Sequence, residues 1–128
     1  MKVLLDTHII VWLATEPDRI PQNLRSKIET AASRFFSSVS AVEIELKHRR
    51  YPSKFPFDGG HLQKAITDLS CTELALKFQH AAELRGIPLL HNDPFDHLLM
   101  AQAMSERIAL ATMDKSILGY QLKHLQFL

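Results

Sequence analysis

Short apolar runs of strand character alternate with helical stretches along this chain, and that alternation limits its fold more than any other feature. Residues 2–6, Lys-Val-Leu-Leu-Asp, look like a buried strand, yet the apolar character continues through Ile9, Ile10, Val11, Trp12 and Leu13, too far for one strand. A strand that turns into a helix at Asp6 accounts for both halves. Pro21 suits the first turn of a second helix, in which Leu24, Ile28 and Ala31 or Ala32 recur at helical spacing, with an end expected near Ser33. Residues 34–39 read as the next strand, and Ser40 followed by Glu43 forms a capping-box pattern that opens a third helix. Two prolines, two glycines and the aromatic residues Tyr51, Phe55 and Phe57, all expected to be exposed, make 51–60 the one long loop. Further helices are expected over 62–69, over 75–85 with Gly86 as the stop, and over 94–107. Short strands are expected over 71–74 and 108–112, with a last edge strand over 124–128. This order implies an α/β fold, a central parallel sheet flanked by helices on both faces.

At 128 residues the chain has room for one domain with a real core, spanning 1–128, and not for two. Its 46% hydrophobic and 23% charged residues are those of a soluble protein, and no apolar run approaches the roughly 20 residues that cross a bilayer. The start lacks the apolar core of a signal peptide, and the single Cys71 cannot form an intrachain disulfide, so a cytoplasmic protein without membrane association is expected. Cys71 reads as a small buried hydrophobe. A net charge of +1 excludes nucleic-acid binding by bulk electrostatics alone. Lys47, His48, Arg49, Arg50 and Lys54 form one basic stretch, either a solvated helix end or local help for a phosphate-bearing partner.

Four acids, Asp6, Glu43, Asp96 and Asp114, each fall where a helix is expected to begin. Each has an ordinary explanation, since carboxylates at helix N-termini cap free N–H groups and gain roughly 0.3–1 kcal/mol from the macrodipole. Asp93, an N-cap before Pro94, fits that structural role best. Jointly the four say more, because in an open parallel sheet the strand ends and the following helix starts share one edge, where ligands bind. Carboxylates gathered there repel one another and take up protons unless a cation joins them. An all-oxygen donor set points to Mg²⁺ or Mn²⁺, and such a site can clamp a phosphodiester and activate water.

The motifs Leu5-Asp6-Thr7-His8 with Trp12, Ser38-Val39-Ser40-Ala41-Val42-Glu43-Ile44, His91-Asn92-Asp93-Pro94-Phe95-Asp96 with Leu99-Met100-Ala101-Gln102-Ala103, and Thr112-Met113-Asp114 resemble the PIN-domain toxins of the VapC type. The likeness runs through nearly the whole chain. It implies a Mg²⁺- or Mn²⁺-dependent endoribonuclease acting on cellular RNA, commonly transfer RNA, held inactive by a VapB antitoxin, and it implies homodimerisation. By that resemblance Asp6, Glu43, Asp96 and Asp114 are the catalytic and metal-binding acids, and Thr112 and Thr7 are supporting hydroxyls that orient carboxylates or water. His97 departs from the pattern, since many relatives carry arginine there. His8 and His91 match it, although histidines at turn ends are more often held by backbone hydrogen bonds. An antitoxin segment would place a basic side chain in the acidic crevice and lie on apolar residues near Trp12 and in the loop 51–57.

In the expected mechanism metal-activated water attacks in line and leaves 5′-phosphate and 3′-hydroxyl ends, consistent with the lack of an evident histidine acid/base couple. A non-catalytic PIN-like module that binds RNA or a partner is the rival reading. Retention of all four acids favours the enzyme. Phosphotransfer through an aspartyl nucleophile at Asp6 is disfavoured, because no second carboxylate lies beside it and no lysine partner is evident.

Overall fold

The computed structural model describes all 128 residues. Strand β1 (Lys2–Leu5) runs into α1 (Thr7–Thr15), and a single 3₁₀ turn (Pro17–Arg19) leads to α2 (Gln22–Glu29). β2 (Ser33–Ser37) is followed directly by α3 (Ser38–Arg50), then α4 (Gly59–Asp68) and β3 (Cys71–Leu74). α5 (Phe78–Glu83), α6 (Pro94–Glu106), β4 (Ala109–Ala111) and α7 (Lys115–Leu118) complete the order. The strands form one parallel sheet in the order β3-β2-β1-β4. The chain winds outward from β1 to β3 and then crosses back to place β4 on the other side of β1. Strand order therefore reverses between β1 and β4, the position where open α/β sheets leave a crevice at the strand ends.

Side chains alternate across β1, and both faces are covered. Val3 and Leu5 pack with Ile9 and Ile10 of α1, Ile28 of α2 and Leu62 and Ala65 of α4. Leu4 packs on the opposite face with Leu99, Met100 and Ala103 of α6 and Ile117 of α7. A strand buried on both faces needs no polar alternation, which is why β1 and β4 read as continuous apolar runs. Helix α3 reaches both layers, giving Val39 to one and Ile44 to the other. Gln102 pins α6 to the sheet from inside, accepting from the Ser37 hydroxyl and donating to the Leu74 carbonyl at 3.2 Å. Arg34 does similar work at the other end of β2, donating to the Leu69 carbonyl at 2.7 Å and the Glu29 carbonyl at 3.1 Å, so one side chain holds the C-terminal ends of α4 and α2.

Several boundaries differ from expectation. The loop between α3 and α4 is shorter than 51–60, because Asp58 caps α4 by accepting from the His61 N–H at 3.0 Å. Phe57 is buried in the core there, Phe55 is half-buried, and only Tyr51 is exposed. Helix α5 starts at Phe78, and Gly86 closes a 3₁₀ turn (Leu84–Gly86) without a positive φ, so no left-handed glycine cap forms. The end of α6 has that conformation instead, at Arg107 (φ 55°). The last strand is reduced to one parallel bridge, Leu110 with Phe127. Cys71 is half-buried, and its burial pushes the thiol pKa up, which keeps it protonated and inert. No helix is long and apolar enough to cross a membrane.

Candidate active site

Asp6 stands at the junction of β1 and α1, and its backbone N–H still pairs with the Ala111 carbonyl of β4 at 3.0 Å. It occupies the N-cap position of α1, but its side chain makes no capping bond. The carboxylate is 2% exposed and accepts the Thr112 hydroxyl at 2.8 Å. The same Thr112 oxygen receives the Asp114 N–H at 3.1 Å, so one hydroxyl ties the first acid to the backbone of the last. The Thr7 hydroxyl points elsewhere, to Ser40 Oγ at 2.8 Å, where it joins α1 to α3.

Ser37, not Ser40, caps α3, its Oγ accepting the Val39 N–H at 2.9 Å. The capping box expected at Ser40 and Glu43 therefore does not form. The strand stops at Ser37 because its pairing with Leu74 ends there, and serines stand at 37, 38 and 40, so the sequence offered three caps for one helix. Glu43 falls in the second turn of α3, 3% exposed, with Lys47 one turn later at 2.9 Å. Capping no longer explains this carboxylate.

Asp93 does cap α6, Oδ1 accepting from the Phe95 N–H at 2.9 Å and the Asp96 N–H at 3.4 Å. Asp96 is free of that duty and receives His91 Nε2 on Oδ2 at 2.9 Å. His91 Nδ1 lies 3.0 Å from the Tyr120 hydroxyl, which also accepts the backbone N–H groups of Leu90 at 3.1 Å and His91 at 3.3 Å. His97 is buried in the same cluster with Nε2 3.2 Å from that hydroxyl, so it faces inward and not toward a phosphate. Tyr120 thus anchors the loop that carries His91. Sequence reasoning missed it, because it lies beyond α7 in no motif, and its only signal is a polar-tipped aromatic in an otherwise aliphatic core. Asp114 is half-buried and caps the short α7, Oδ1 accepting the Ser116 N–H at 2.8 Å.

The acids act on one another. Burial raises the Asp6 pKa, with Glu43 adding to the rise and Thr112 and His8 opposing it. Burial also pushes Asp96 up to about 6, against the His91 hydrogen bond, and Asp93, Asp6 and Asp114 each push further. A small cavity of about 190 Å³, lined by Asp6, His8, Trp12, Met113 and Asp114, opens at this edge.

The PIN-domain family model matches residues 3–121. The chain belongs to the PIN-domain family. Among curated proteins no sequence matches it. Solved structures share its fold, three of them as follows. VapBC2 from Rickettsia felis, bound to a DNA fragment from its promoter, superposes with a TM-score of 0.68 at 15% identity, covering 99% of this chain and 97% of that one. DNA-bound VapBC from Salmonella typhimurium gives 0.67 at 16%, covering 99% and 96%. VapBC-1 from nontypeable Haemophilus influenzae gives 0.65 at 17%, covering 100% and 97%.

In this PIN domain the four acids fit a hard divalent cation by charge and donor type. Glu43 has Lys47 as a counter-charge, but no lysine or arginine pairs with Asp6, Asp96 or Asp114, and burial first, then neighbouring carboxylates, raise the pKa values of Asp6 and Asp96. No three of the His, Cys, Asp and Glu side chains converge tightly enough to hold an ion as they stand. The match is therefore one of charge and donor chemistry.

Proposed function

We propose that this PIN domain is a Mg²⁺- or Mn²⁺-dependent endoribonuclease toxin of the VapC type. The reading rests chiefly on Asp96, whose carboxylate is pushed up to about 6 by burial and by three neighbouring aspartates at the switch point of the sheet. Folding such acids together is unfavourable unless a ligand relieves them. Asp6, Asp96 and Asp114 would hold the cation, with Glu43 beside them. A bound divalent ion would polarise the scissile phosphate and acidify the attacking water. The protein's own groups position: Thr112 orients Asp6 and His91 fixes one oxygen of Asp96. Lys47 pairs with Glu43 at 2.9 Å and is its counter-charge.

A cognate VapB-type antitoxin would close the crevice with a basic side chain, whose charge meets the uncompensated acids. Val42 and Leu46 on α3, with Leu76 and Phe78 before and at the start of α5, are exposed and would be covered in a homodimer. Transfer RNA is the proposed substrate. A non-catalytic module is the second reading, favoured by one observation: Asp96 Oδ2, Asp114 Oδ1 and Glu43 already have protein partners.

Incubating the purified protein with total RNA and Mg²⁺ or Mn²⁺, and mapping the fragment ends, separates the two. Discrete cuts in transfer RNA with 5′-phosphate and 3′-hydroxyl ends are expected, abolished by chelation and reduced about 100-fold or more by Asp6→Asn or Asp96→Asn. Cyclic-phosphate ends would refute the metal-water scheme, and cleavage indifferent to both substitutions would refute the site.

A further inference from the structure

The acidic cavity does not end at Trp12. On the other side of His8 and Trp12, which line both, a groove of about 570 Å³ runs between α1 and the loop before α4. Val11, Phe55, Pro56 and Phe57 supply its apolar surface, and Arg19 and Lys54 its cations, against one acid, Glu16. Arg19 lies over the Trp12 ring, Cζ 4.4 Å from its centroid, while holding Glu16 at 3.2 Å, so the ion pair fixes the guanidinium above the indole. Phe55 packs edge-on to Phe57 at 6.4 Å, with Lys47 Nζ 5.8 Å from its ring. The basic stretch at the end of α3 thus reaches this groove through Lys47, and through His48, whose Nδ1 lies 2.9 Å from the Phe55 carbonyl.

We infer that this groove is a nucleotide subsite, which seats an RNA base against the Arg19–Trp12 stack with a flanking phosphate on Lys54 and leads the next phosphodiester to Asp6 and Asp114. The inference rests on the ribonuclease reading above. The volume lies within the range of small-ligand clefts, and the combination of aromatic and guanidinium planes with a positive rim is how single-stranded RNA is held without sequence reading. Charge separates the occupants. With Arg19 paired to Glu16, Lys54 is the groove's uncompensated cation; it opposes the basic residues of an amphipathic peptide, whereas a phosphodiester is complementary to it and needs shielding only at the acidic end. A chain of phosphates entering there is repelled by Asp6 and Asp114 until a cation is present, which couples metal loading to seating of the strand.

Trp12 is the only tryptophan, so its fluorescence reports this groove and the mouth of the acidic cavity that it also lines, and Lys54, which lines the groove and not the cavity, separates the two. The full-length Asp96→Asn protein would be titrated in excess Mg²⁺, which the remaining acids can still draw, with an end-labelled single-stranded octaribonucleotide of mixed sequence, reading Trp12 emission and RNA anisotropy together. Both signals should saturate at one Kd. Lys54→Glu should raise that Kd about fivefold or more, Trp12→Leu should do the same by anisotropy, and Lys123→Glu, an equal charge change on the C-terminal segment, should not. Urea unfolding of each variant checks that the fold is kept, and Lys54, being exposed, serves should Trp12→Leu fail to fold. RNA binding that leaves Trp12 emission unchanged, or equal losses from Lys54→Glu and Lys123→Glu, would overturn the subsite while leaving the ribonuclease reading in place. Quenching of Trp12 by a co-expressed protein partner but not by RNA would assign the groove to that partner and overturn the inference. No binding by this variant and no cleavage by the unsubstituted protein would remove both readings.

Discussion

Helix α6 carries a histidine–carboxylate pair at each end, and the two behave in opposite ways. At its start His91 Nε2 meets Asp96 at 2.9 Å, and at its end His80 Nε2 meets Glu106 at 2.8 Å. The helix macrodipole would favour the ionised acid at the start and disfavour it at the end by roughly 0.3–1 kcal/mol. The shifts run the other way. Asp96 is pushed up to about 6, while the His80 hydrogen bond holds Glu106 below its ordinary range against the opposing effect of burial. Surroundings outweigh the dipole: Asp96 is desolvated by burial and faces three other aspartates, whereas Glu106 also receives Gln79 at 2.9 Å and has Lys77 nearby. His80 itself is fully buried with Nδ1 accepting the Lys77 N–H at 2.9 Å, so a neutral ring with its proton on Nε2 satisfies every bond. One pair is arranged to be comfortable without a ligand, the other is not, and that distinguishes a structural pair from a site.

The distinction can be broken first by deleting each histidine. His80→Ala should cost about 1–3 kcal/mol of stability in urea unfolding, because Lys77 N–H and Glu106 lose a buried partner, and the folded fraction should keep its ribonuclease rate. His91→Ala should instead lower that rate about 10- to 100-fold with a much smaller effect on unfolding, since it only orients an acid. Equal losses of activity would erase the difference between the two ends.

Acid titration of the chelated protein sharpens it further. Asp96 has a folded pKa above its ordinary 3.8, so folded protein retains a proton that the unfolded chain releases, and stability should fall as pH rises from about 4 through about 6. Asp96→Asn should flatten that slope. Glu106 has a lowered folded pKa, so its contribution is present above 4.5 and lost as pH falls through the folded value. Glu106→Gln should remove stability near neutral pH and leave the falling slope above about 4 to Asp96 and Asp6, the two acids with raised values. Unfolding midpoints across this range, unchanged by either substitution, would contradict the assigned shifts.

The smallest effect expected is at Arg107, just past Glu106, which adopts a left-handed φ of 55° with an exposed side chain. Arg107→Gly should stabilise the fold by about 0.5–1 kcal/mol without altering cleavage, because glycine takes that conformation without a Cβ clash. A fall in activity would mean that the two ends of α6 communicate.

Much of this was legible in one dimension. The alternation of short strand-like runs with helical stretches identified all four strands and the main helices; β1 and β4, covered on both faces, were apolar runs, whereas β2 and the edge strand β3 carry polar residues. The Asp93-Pro94 cap was readable because its chemistry is local. Boundaries set by competition were not: Ser37, Ser38 and Ser40 are equivalent as text, and only the end of the β2–β3 ladder at Ser37 decides among them. Phe57 looked like a loop aromatic until α1 and α4 closed over it.

The sequence by itself determined which side chains are acidic, that each follows a strand or opens near a helix, and that the sheet would be parallel, since these depend on neighbours along the chain. Tertiary structure alone decided that β4 lies beside β1, so that Asp6 and Asp114 share an edge through Thr112, and that Tyr120 stands behind His91. Contacts between residues so far apart along the chain exist only once the core has fixed where each element sits, and no local pattern encodes that placement.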